Sequence, residues 1–250
     1  MLRYFCINGK DNIEMLGFFS RKTTILDSGL LQGFTDHHSH LLPGVDDGMR
    51  SKEETLEALD YMERVGVKKV WFTPHVMEDV PNTPLLLSQC FSSFKNDYKG
   101  GIKLNLAAEN MIDNLLVERW TKREMLELSP KHYLVETSYF RASHELKGVI
   151  GEMVNADCVP VLAHPERYRY MTDDDYHYYK SLGVMFQLNL GSIVGLYSEY
   201  AKQRAEQLLK KGLYNLIGSD IHNLHFYKKS ITTPLAVSVV ELLKNIPNKL

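Results

Sequence analysis

Histidine and acidic residues recur where β-rich apolar runs end along this 250-residue chain. The segment TDHHSH at 35–40 places Asp36, His38 and His40 on one face of a strand, because alternate side chains of a strand share a face. Near the other end of the chain, SDIHN repeats this spacing with Asp220 and His222. Two side chains that can bind metal, two residues apart on one strand, make a compact clamp for an ion, so two such segments predict a metal site.

Four further strand ends carry a potential ligand, namely His75, Glu109, Glu136 and His164. Any one of them alone is as well explained as a hydrogen-bonded residue at the rim of a fold. Their repeated placement at strand ends is difficult to explain by chance, and it favours a shared site. His37 lies on the opposite face of its strand and is expected to point away from that site.

The elements that must position these residues alternate between strand and helix. Seven short apolar runs, about 24–36 residues apart, are separated by helical patterns. The clearest helix is SKEETLEALDYMERVG, with a capping box formed by Ser51 and Glu54 and a stop at Gly66. This alternation predicts an α/β fold with a parallel sheet, closed as a barrel or open. In a parallel barrel the strand ends meet at one mouth, so the potential ligands should converge there.

The chain shows no internal boundary rich in Ser, Gly or Pro. We therefore predict one domain over residues 33–250, preceded by an N-terminal arm of residues 1–32. Lys10, Asp11 and Glu14 interrupt the apolar start, and no run of about 18 apolar residues exists. The protein is accordingly expected to be cytoplasmic and not embedded in a membrane.

Composition and missing motifs exclude several classes of function. Twenty-nine basic against 31 acidic residues give a net charge of −2, without the basic excess of a nucleic-acid-binding protein. Neither the dinucleotide-binding nor the P-loop glycine pattern occurs, and the G-x-S-x-G elbow of serine hydrolases is missing. Cys6, Cys90 and Cys158 are too widely spaced for a thiolate zinc motif, and none is followed by the arginine that a thiol-based tyrosine phosphatase requires.

The motifs together resemble a known family. TDHHSHLLPGVDDG at 35–48, followed in order by FTPH, AAEN, LVE, AHPERY and SDIHNL, closely resembles the PHP (polymerase and histidinol phosphatase) superfamily. The form HSHLLPGVDDG is similar to the bacterial tyrosine-protein phosphatases of capsule and exopolysaccharide operons. The resemblance covers about residues 33–250. It implies a distorted (β/α)7 TIM-like barrel of the PHP type in a single domain, in agreement with the seven predicted strands.

The resemblance also implies a site for three divalent metal ions. It assigns the ligands as follows: His38, His40, Glu109 and Asp220 to the first ion; Glu109, Glu136 and His164 to the second; Asp47, His75 and His222, with Glu136, to the third. Asp36 would orient a ligand imidazole, and Arg167 of the HPER segment would grip the phosphate. The resemblance favours manganese, while the nitrogen and oxygen donor set also suits iron or zinc.

The expected reaction is in-line attack on phosphorus by a hydroxide that bridges the metals, with Arg167 neutralising charge on the phosphate. One departure from the family concerns the segment after His222. The family carries an arginine there, whereas this chain reads HNLHFYKKS. Lys228 or Lys229 is therefore expected to reach the mouth, bind substrate and replace that charge.

The function that follows is a metal-dependent protein-tyrosine phosphatase. Its expected partner is a bacterial tyrosine autokinase of polysaccharide export, through which it would regulate capsule or exopolysaccharide synthesis. One alternative is a small-molecule phosphatase of the histidinol-phosphate type, which would need a closed pocket. Another is a non-catalytic PHP module that binds metal only for stability, and loss of ligands would indicate that module.

Overall fold

The computed structural model describes residues 21–250, so residues 1–20 of the predicted arm, with Cys6, lie outside the described residues. The strands are β1 (Lys22–Thr23), β2 (Thr35–Asp36), β3 (Lys69–Phe72), β4 (His75–Val76), β5 (Lys103–Leu106), β6 (Glu109–Met111), β7 (His132–Glu136), β8 (Val159–Ala163), β9 (Met185–Asn189), β10 (Leu216–Gly218) and β11 (Leu235–Ala236). The helices are α1 (Lys52–Arg64), α2 (Pro84–Asp97), α3 (Leu116–Thr121), α4 (Leu146–Asn155), α5 (Asp173–Ser181), α6 (Leu190–Ile193), α7 (Glu199–Lys210), α8 (Leu224–Thr232) and α9 (Val237–Lys244). A short 3₁₀ helix spans Pro165–Arg167.

The seven predicted strand regions lie side by side in sequence order, and all their pairings are parallel. One sheet has the order β2-β3-β5 and the other β10-β9-β8-β7-β6-β4. The backbone N–H of His37 donates to the carbonyl of Ile217 at 3.2 Å, and Ser39 bridges Ile221, which places the first strand region beside the last. The predicted α/β fold with a barrel-like parallel sheet is confirmed.

Two of the predicted strands are broken in the middle. The run around residue 71 divides into β3 and β4, and the run around residue 106 divides into β5 and β6. Pro74 lies in the first break, and proline cannot donate a hydrogen bond to a neighbouring strand. The breaks move the pairing from one sheet to the other, so that β4 pairs with β6 through the register His75 to Glu109.

The predicted helix boundary at α1 is confirmed, although the cap differs in one bond. The Ser51 hydroxyl accepts from the backbone N–H of Glu54 at 3.3 Å, as expected for an N-cap. The Glu54 carboxylate accepts from the backbone N–H of Arg50 instead of closing the box on Ser51. Gly66, with φ +110°, follows the helix and ends it.

The described part of the predicted arm packs onto the rest of the fold. β1 pairs antiparallel with β11, and the Ile25 and Leu31 side chains are buried in the main core. The boundary between arm and domain at residue 33 stays a prediction. Among residues 21–250 there is no helix whose length and apolar character would let it cross a lipid bilayer.

Candidate metal centre

The predicted ligands converge at the carboxyl ends of the strands. Each has a nitrogen or oxygen atom 3.0–3.3 Å from another member of the set. The members are His38, His40, Asp47, His75, Glu109, Glu136, His164, Asp220 and His222. All except His164 fall into three overlapping groups whose donor atoms lie within 4.8 Å of one another. The structure therefore brings together all nine residues that the sequence predicts.

The first group has the dimensions of a coordination sphere. His38 Nε2 lies 3.1 Å from His40 Nε2, 3.1 Å from Glu109 Oε2 and 3.4 Å from Asp220 Oδ1. His40 Nε2 lies 3.3 Å from each of the same two carboxylate oxygens. Four ligands at about 2.0–2.1 Å from a tetrahedral ion would lie about 3.3–3.4 Å apart. These five separations are those that an ion between the four atoms would require.

Hydrogen bonds on the far side of both rings fix which nitrogens face the centre. His38 Nδ1 donates to Gln187 Oε1 at 2.8 Å, and His40 Nδ1 donates to Asp46 Oδ2 at 2.8 Å. The Gln187 amide nitrogen donates to the carbonyl of Leu188, which assigns its oxygen to His38. Both Nε2 atoms therefore direct lone pairs at each other and at carboxylates, an arrangement that only a cation or protons can stabilise.

The buried imidazoles and carboxylates of the first group shift one another's pKa values. Burial alone would lower the pKa of His38, but Glu109 and Asp220 more than offset it and raise the pKa to about 9. Burial would likewise raise the pKa of Glu109 and Asp220, yet the surrounding imidazoles, His38 first, hold both well below their usual range. Glu109 and Asp220 are therefore ionised at neutral pH, which favours a cation between them.

The second and third groups share residues with the first. His75 Nδ1 lies 3.2 Å from Glu109 Oε2 and 3.0 Å from Glu136 Oε1. These three atoms are buried and have no hydrogen-bond partner among the described residues, so they fit a cation. At the solvent side, Asp47 Oδ1 lies 3.5 Å from His75 Nε2 and 3.3 Å from His222 Nε2.

His164 joins the second group from the other side. Its Nε2 lies 3.0 Å from Glu109 Oε1 and 3.9 Å from Glu136 Oε2. The geometry thus gives the second group two imidazoles, His75 as well as the predicted His164, around the same carboxylates. Glu109 is central because it contacts His38, His40, His75 and His164.

The backbone at two of these residues is strained. His164 has φ +33° and Asp220 has φ +52°, in the left-handed region that non-glycine residues rarely adopt. Such conformations cost about 1–3 kcal/mol each and persist where the surrounding structure enforces them. Close packing adds a further constraint: a β-carbon at Gly218 would lie 2.4 Å from the His38 β-carbon, so only glycine fits beside that ligand.

Arg167 lies at the edge of the centre, in a sandwich of two aromatic rings. Its guanidinium carbon is 4.1 Å from the Tyr139 ring centroid and 3.9 Å from that of Tyr197. Its Nη1 donates to Asp220 Oδ2 at 3.0 Å. The same oxygen accepts from the Tyr197 hydroxyl at 2.9 Å and from Asn189 at 2.6 Å, while Asp220 Oδ1 faces the histidines. Asp220 therefore links the ligand cluster to a positioned cation.

A pocket of about 330 Å³ opens over this arrangement. It is lined by Asp47, His75, Tyr139, Arg167, Tyr197, Asp220, His222, Asn223 and Phe226. Its floor contains members of the ligand set, and its walls carry one guanidinium and three aromatic rings. A phosphate in this pocket would lie beside the Arg167 guanidinium and over the ligand cluster.

Two expectations about supporting residues need correction. Asp36 orients no imidazole: it accepts hydrogen bonds from the backbone N–H groups of His38 and Ser219 and from the Ser219 hydroxyl. The imidazoles are oriented instead by Gln187 and Asp46, which sequence reasoning missed. A sequence feature could have identified Asp46, since it stands beside the predicted ligand Asp47 and six residues after His40. Gln187 had none, because it comes from a distant strand.

The second correction concerns Lys228 and Lys229, which were expected at the mouth. Neither lines the pocket over the centre. The Lys228 ammonium lies 4.8 Å from the ring centroid of Tyr61 on α1, and Lys229 is exposed. Both lie in the α8 helix, whose first turn presents Phe226 to the pocket instead. From these positions we expect the pair to contribute little to substrate capture.

Comparison with known proteins agrees with this geometry. Residues 34–237 match the family model described as capsular polysaccharide synthesis, CpsB/CapC. YwqE of Bacillus subtilis, named a tyrosine-protein phosphatase, is 26% identical over 197 residues, which cover 76% of this chain and 77% of YwqE. CpsB of Streptococcus pneumoniae, also named a tyrosine-protein phosphatase, is 26% identical over 201 residues, which cover 76% of this chain and 83% of CpsB.

Solved structures show the same fold. A structure from a study of YwqE and CpsB, described there as unique metal-dependent tyrosine phosphatases, aligns with a TM-score of 0.73 at 23% identity and covers 86% of this chain and 89% of that one. The phosphotriesterase homology protein of Escherichia coli, solved with phosphate in its active site, aligns with a TM-score of 0.52 at 14% identity, covering 85% and 92%. Because the family model spans most of the chain, the protein belongs to the CpsB/CapC family of capsular polysaccharide synthesis, the branch that its motifs indicate.

Proposed function

We propose that this protein is a metal-dependent phosphatase that hydrolyses phosphotyrosine in proteins. The observation that carries the proposal is the convergence of five imidazoles and four carboxylates beside Arg167, at the base of one pocket. Support also comes from the relatives YwqE and CpsB, both named tyrosine-protein phosphatases. Imidazole nitrogens and carboxylate oxygens together are the donor set of a hydrolytic metal site.

The donor set fits three divalent ions. His38, His40, Glu109 and Asp220 would hold the first, and the remaining ligands would hold the other two around Glu136 and Asp47. We favour manganese, with iron and zinc as the alternatives that nitrogen and oxygen ligands also suit. When bound, such ions lower the pKa of water and offset the negative charge of a phosphate.

The residues of this chain then supply positioning. Arg167 presents a planar fork of donors suited to two phosphate oxygens, and the rings of Tyr139 and Tyr197 hold that plane in place. A tyrosine leaving group has a pKa of about 10, so its departure needs only modest assistance.

The mouth of the site favours a residue carried on a protein. The Asp47 side chain is 70% exposed and that of His222 is 26% exposed, so part of the ligand set faces solvent. A small-molecule phosphatase of the histidinol-phosphate type would need a closed pocket, which these exposures do not provide. A non-catalytic module would be expected to lack ligands, whereas all nine are present.

The physiological substrate we infer is a tyrosine autokinase of polysaccharide export, consistent with a family described by capsular polysaccharide synthesis. Dephosphorylation of that kinase would regulate polymer synthesis. Because such a kinase would be phosphorylated where ATP is available, we infer a cytoplasmic reaction.

The test is phosphate release from a phosphotyrosine peptide, a phosphoserine peptide and histidinol phosphate. Protein stripped with a chelator would be assayed before and after addition of Mn²⁺, Fe²⁺ or Zn²⁺. We expect metal-dependent release that is fastest from the phosphotyrosine peptide, and loss of activity in Glu109→Gln but not in the exposed control Glu124→Gln. Preference for histidinol phosphate, or release that metal does not restore, would refute the proposal.

A further inference from the structure

One wall of the pocket is built from two aromatic rings. Tyr197 and Phe226 have ring centroids 5.3 Å apart, with planes tilted by 52°. Both rings rest on the backbone of Gly191, where a β-carbon would come within 2.8 Å of Tyr197 and 2.9 Å of Phe226. The backbone φ of residue 191 is not in the left-handed region, so it is the close approach of the two rings that requires glycine there. The wall is therefore a packed feature of the fold.

The sequence after His222 places Phe226 in this wall. Asn223 caps α8, and its Oδ1 accepts from the backbone N–H of Phe226 at 2.8 Å. Lys228 follows two residues later, about 200° around the helix axis, and so lies against Tyr61. The segment presents a ring to the pocket where the motif comparison led us to expect a cation.

The two rings differ in what else they contact. Tyr197 contacts both the ligand cluster and the arginine: its hydroxyl donates to Asp220, and its ring face covers the Arg167 guanidinium. Phe226 has no polar atom and can assist neither the ligand cluster nor the phosphate. An apolar ring in a pocket otherwise lined by charged and polar groups fits an apolar part of the ligand.

We propose that Phe226, supported by Tyr197, determines specificity for aryl phosphates by packing against the aromatic ring of the substrate. In an aryl phosphate the ring is one ester oxygen away from phosphorus, so a phosphate beside Arg167 brings the ring into the same pocket. Two packed aromatic rings gain contact energy that the alkyl group of a phosphoserine-type ester cannot supply. The inference rests on the proposed function and adds a residue that discriminates phosphotyrosine from phosphoserine.

The first measurement is turnover of phenyl phosphate by metal-loaded wild type and variants. Phe226→Ala and Phe226→Leu should lower kcat/KM about three- to tenfold, mainly through KM, and Phe226→Tyr should stay within about twofold. Phe226→Leu retains apolar volume and so guards against a folding defect in the alanine variant. Phe140→Ala is the matched control, because Phe140 is 85% exposed and does not line this pocket.

The second measurement needs no turnover. Dissociation constants of phenylphosphonate and methylphosphonate would be determined by calorimetry for the same proteins. Phe226→Leu should raise the dissociation constant of phenylphosphonate about three- to tenfold and leave that of methylphosphonate unchanged.

Equal weakening of both phosphonates, or no change in either, would overturn the role of Phe226. If the wild type hydrolyses no phosphate ester, the proposed function fails, while the two phosphonates still decide whether the wall selects a ring.

Discussion

The orienting role of Asp46 gives a sharp test of the metal centre. Its Oδ2 accepts from His40 Nδ1 at 2.8 Å and from the backbone N–H of His75 at 3.0 Å, and its Oδ1 accepts from that of Gly48 at 3.0 Å. Burial would raise the pKa of Asp46, but contact with His40 more than offsets this and holds it at about 2. An ionised acceptor therefore faces His40 at every working pH. Asp46→Asn keeps the shape and removes the charge.

The expected cost follows from the contacts. Asparagine offers one acceptor oxygen where the carboxylate satisfies three N–H groups through two oxygens, so either His40 or the backbone loses a partner. Partners that orient a ligand imidazole are typically worth 10–100-fold in metal affinity, or about 1.4–2.7 kcal/mol. We expect Asp46→Asn to weaken Mn²⁺ or Zn²⁺ binding by that factor, although residue 46 is not one of the predicted ligands.

The assay is competition against a chromophoric chelator at pH 7.5, with the melting temperature as a control for folding. The matched variant is Asp113→Asn, because Asp113 also accepts from backbone N–H groups and from Arg119 but contacts no imidazole. Asp113→Asn should keep the wild-type metal affinity. Unaltered affinity in Asp46→Asn, or an equal loss in Asp113→Asn, would refute the argument.

Three other predictions follow from named contacts. Arg167→Ala should cost about 2–4 kcal/mol of transition-state stabilisation at unchanged metal content, because Asp220 keeps two other donors; normal turnover or lost metal would contradict it. Lys228→Ala/Lys229→Ala should change KM less than about twofold at low salt, and a several-fold rise that 0.5 M salt abolishes would restore a capture role. Burial lowers the pKa of His37 to about 4, so the folded protein favours the neutral imidazole. The contribution of His37 to the free energy of unfolding is therefore complete above about pH 6.5 and is lost as the pH falls towards 4. Wild type should therefore lose about 2 kcal/mol of unfolding free energy from pH 7.5 to 5 that His37→Gln does not lose, and parallel pH curves would contradict this.

The sequence predicted eight of the nine candidate ligands because their positions depend on strand periodicity and strand ends, whereas Asp47, which lies in a loop, was assigned only through the family resemblance. His38 and His40 share a face and His37 does not, and in the structure His37 Nδ1 lies 3.0 Å from Asn248, away from the centre. The strand ends of a parallel barrel meet at one mouth, so the remaining ligands could be assigned to the same place without knowing any angle.

The supporting residues could not be predicted in the same way. Gln187 reaches His38 across 149 positions of sequence, through the register of β9 with its neighbours. Asp36 follows the periodicity of the ligands, yet its carboxylate is taken by Ser219 and by the backbone of His38. Periodicity shows which face a side chain occupies, whereas the hydrogen-bond partner depends on packing between distant segments. The turn into α8 is a similar case, since the N-cap at Asn223 decides that Phe226 faces the pocket.

Asp220 makes the ligand cluster and the phosphate-binding residue a single electrostatic unit. One of its oxygens faces His38 and His40, while the other takes the guanidinium of Arg167. A cation at the first oxygen draws on the same negative charge that Arg167 neutralises at the second. A bound metal would therefore leave more of the guanidinium charge to attract a phosphate, while the Tyr139 and Tyr197 rings hold the guanidinium between them. In such a centre, one carboxylate would couple metal binding to affinity for phosphate.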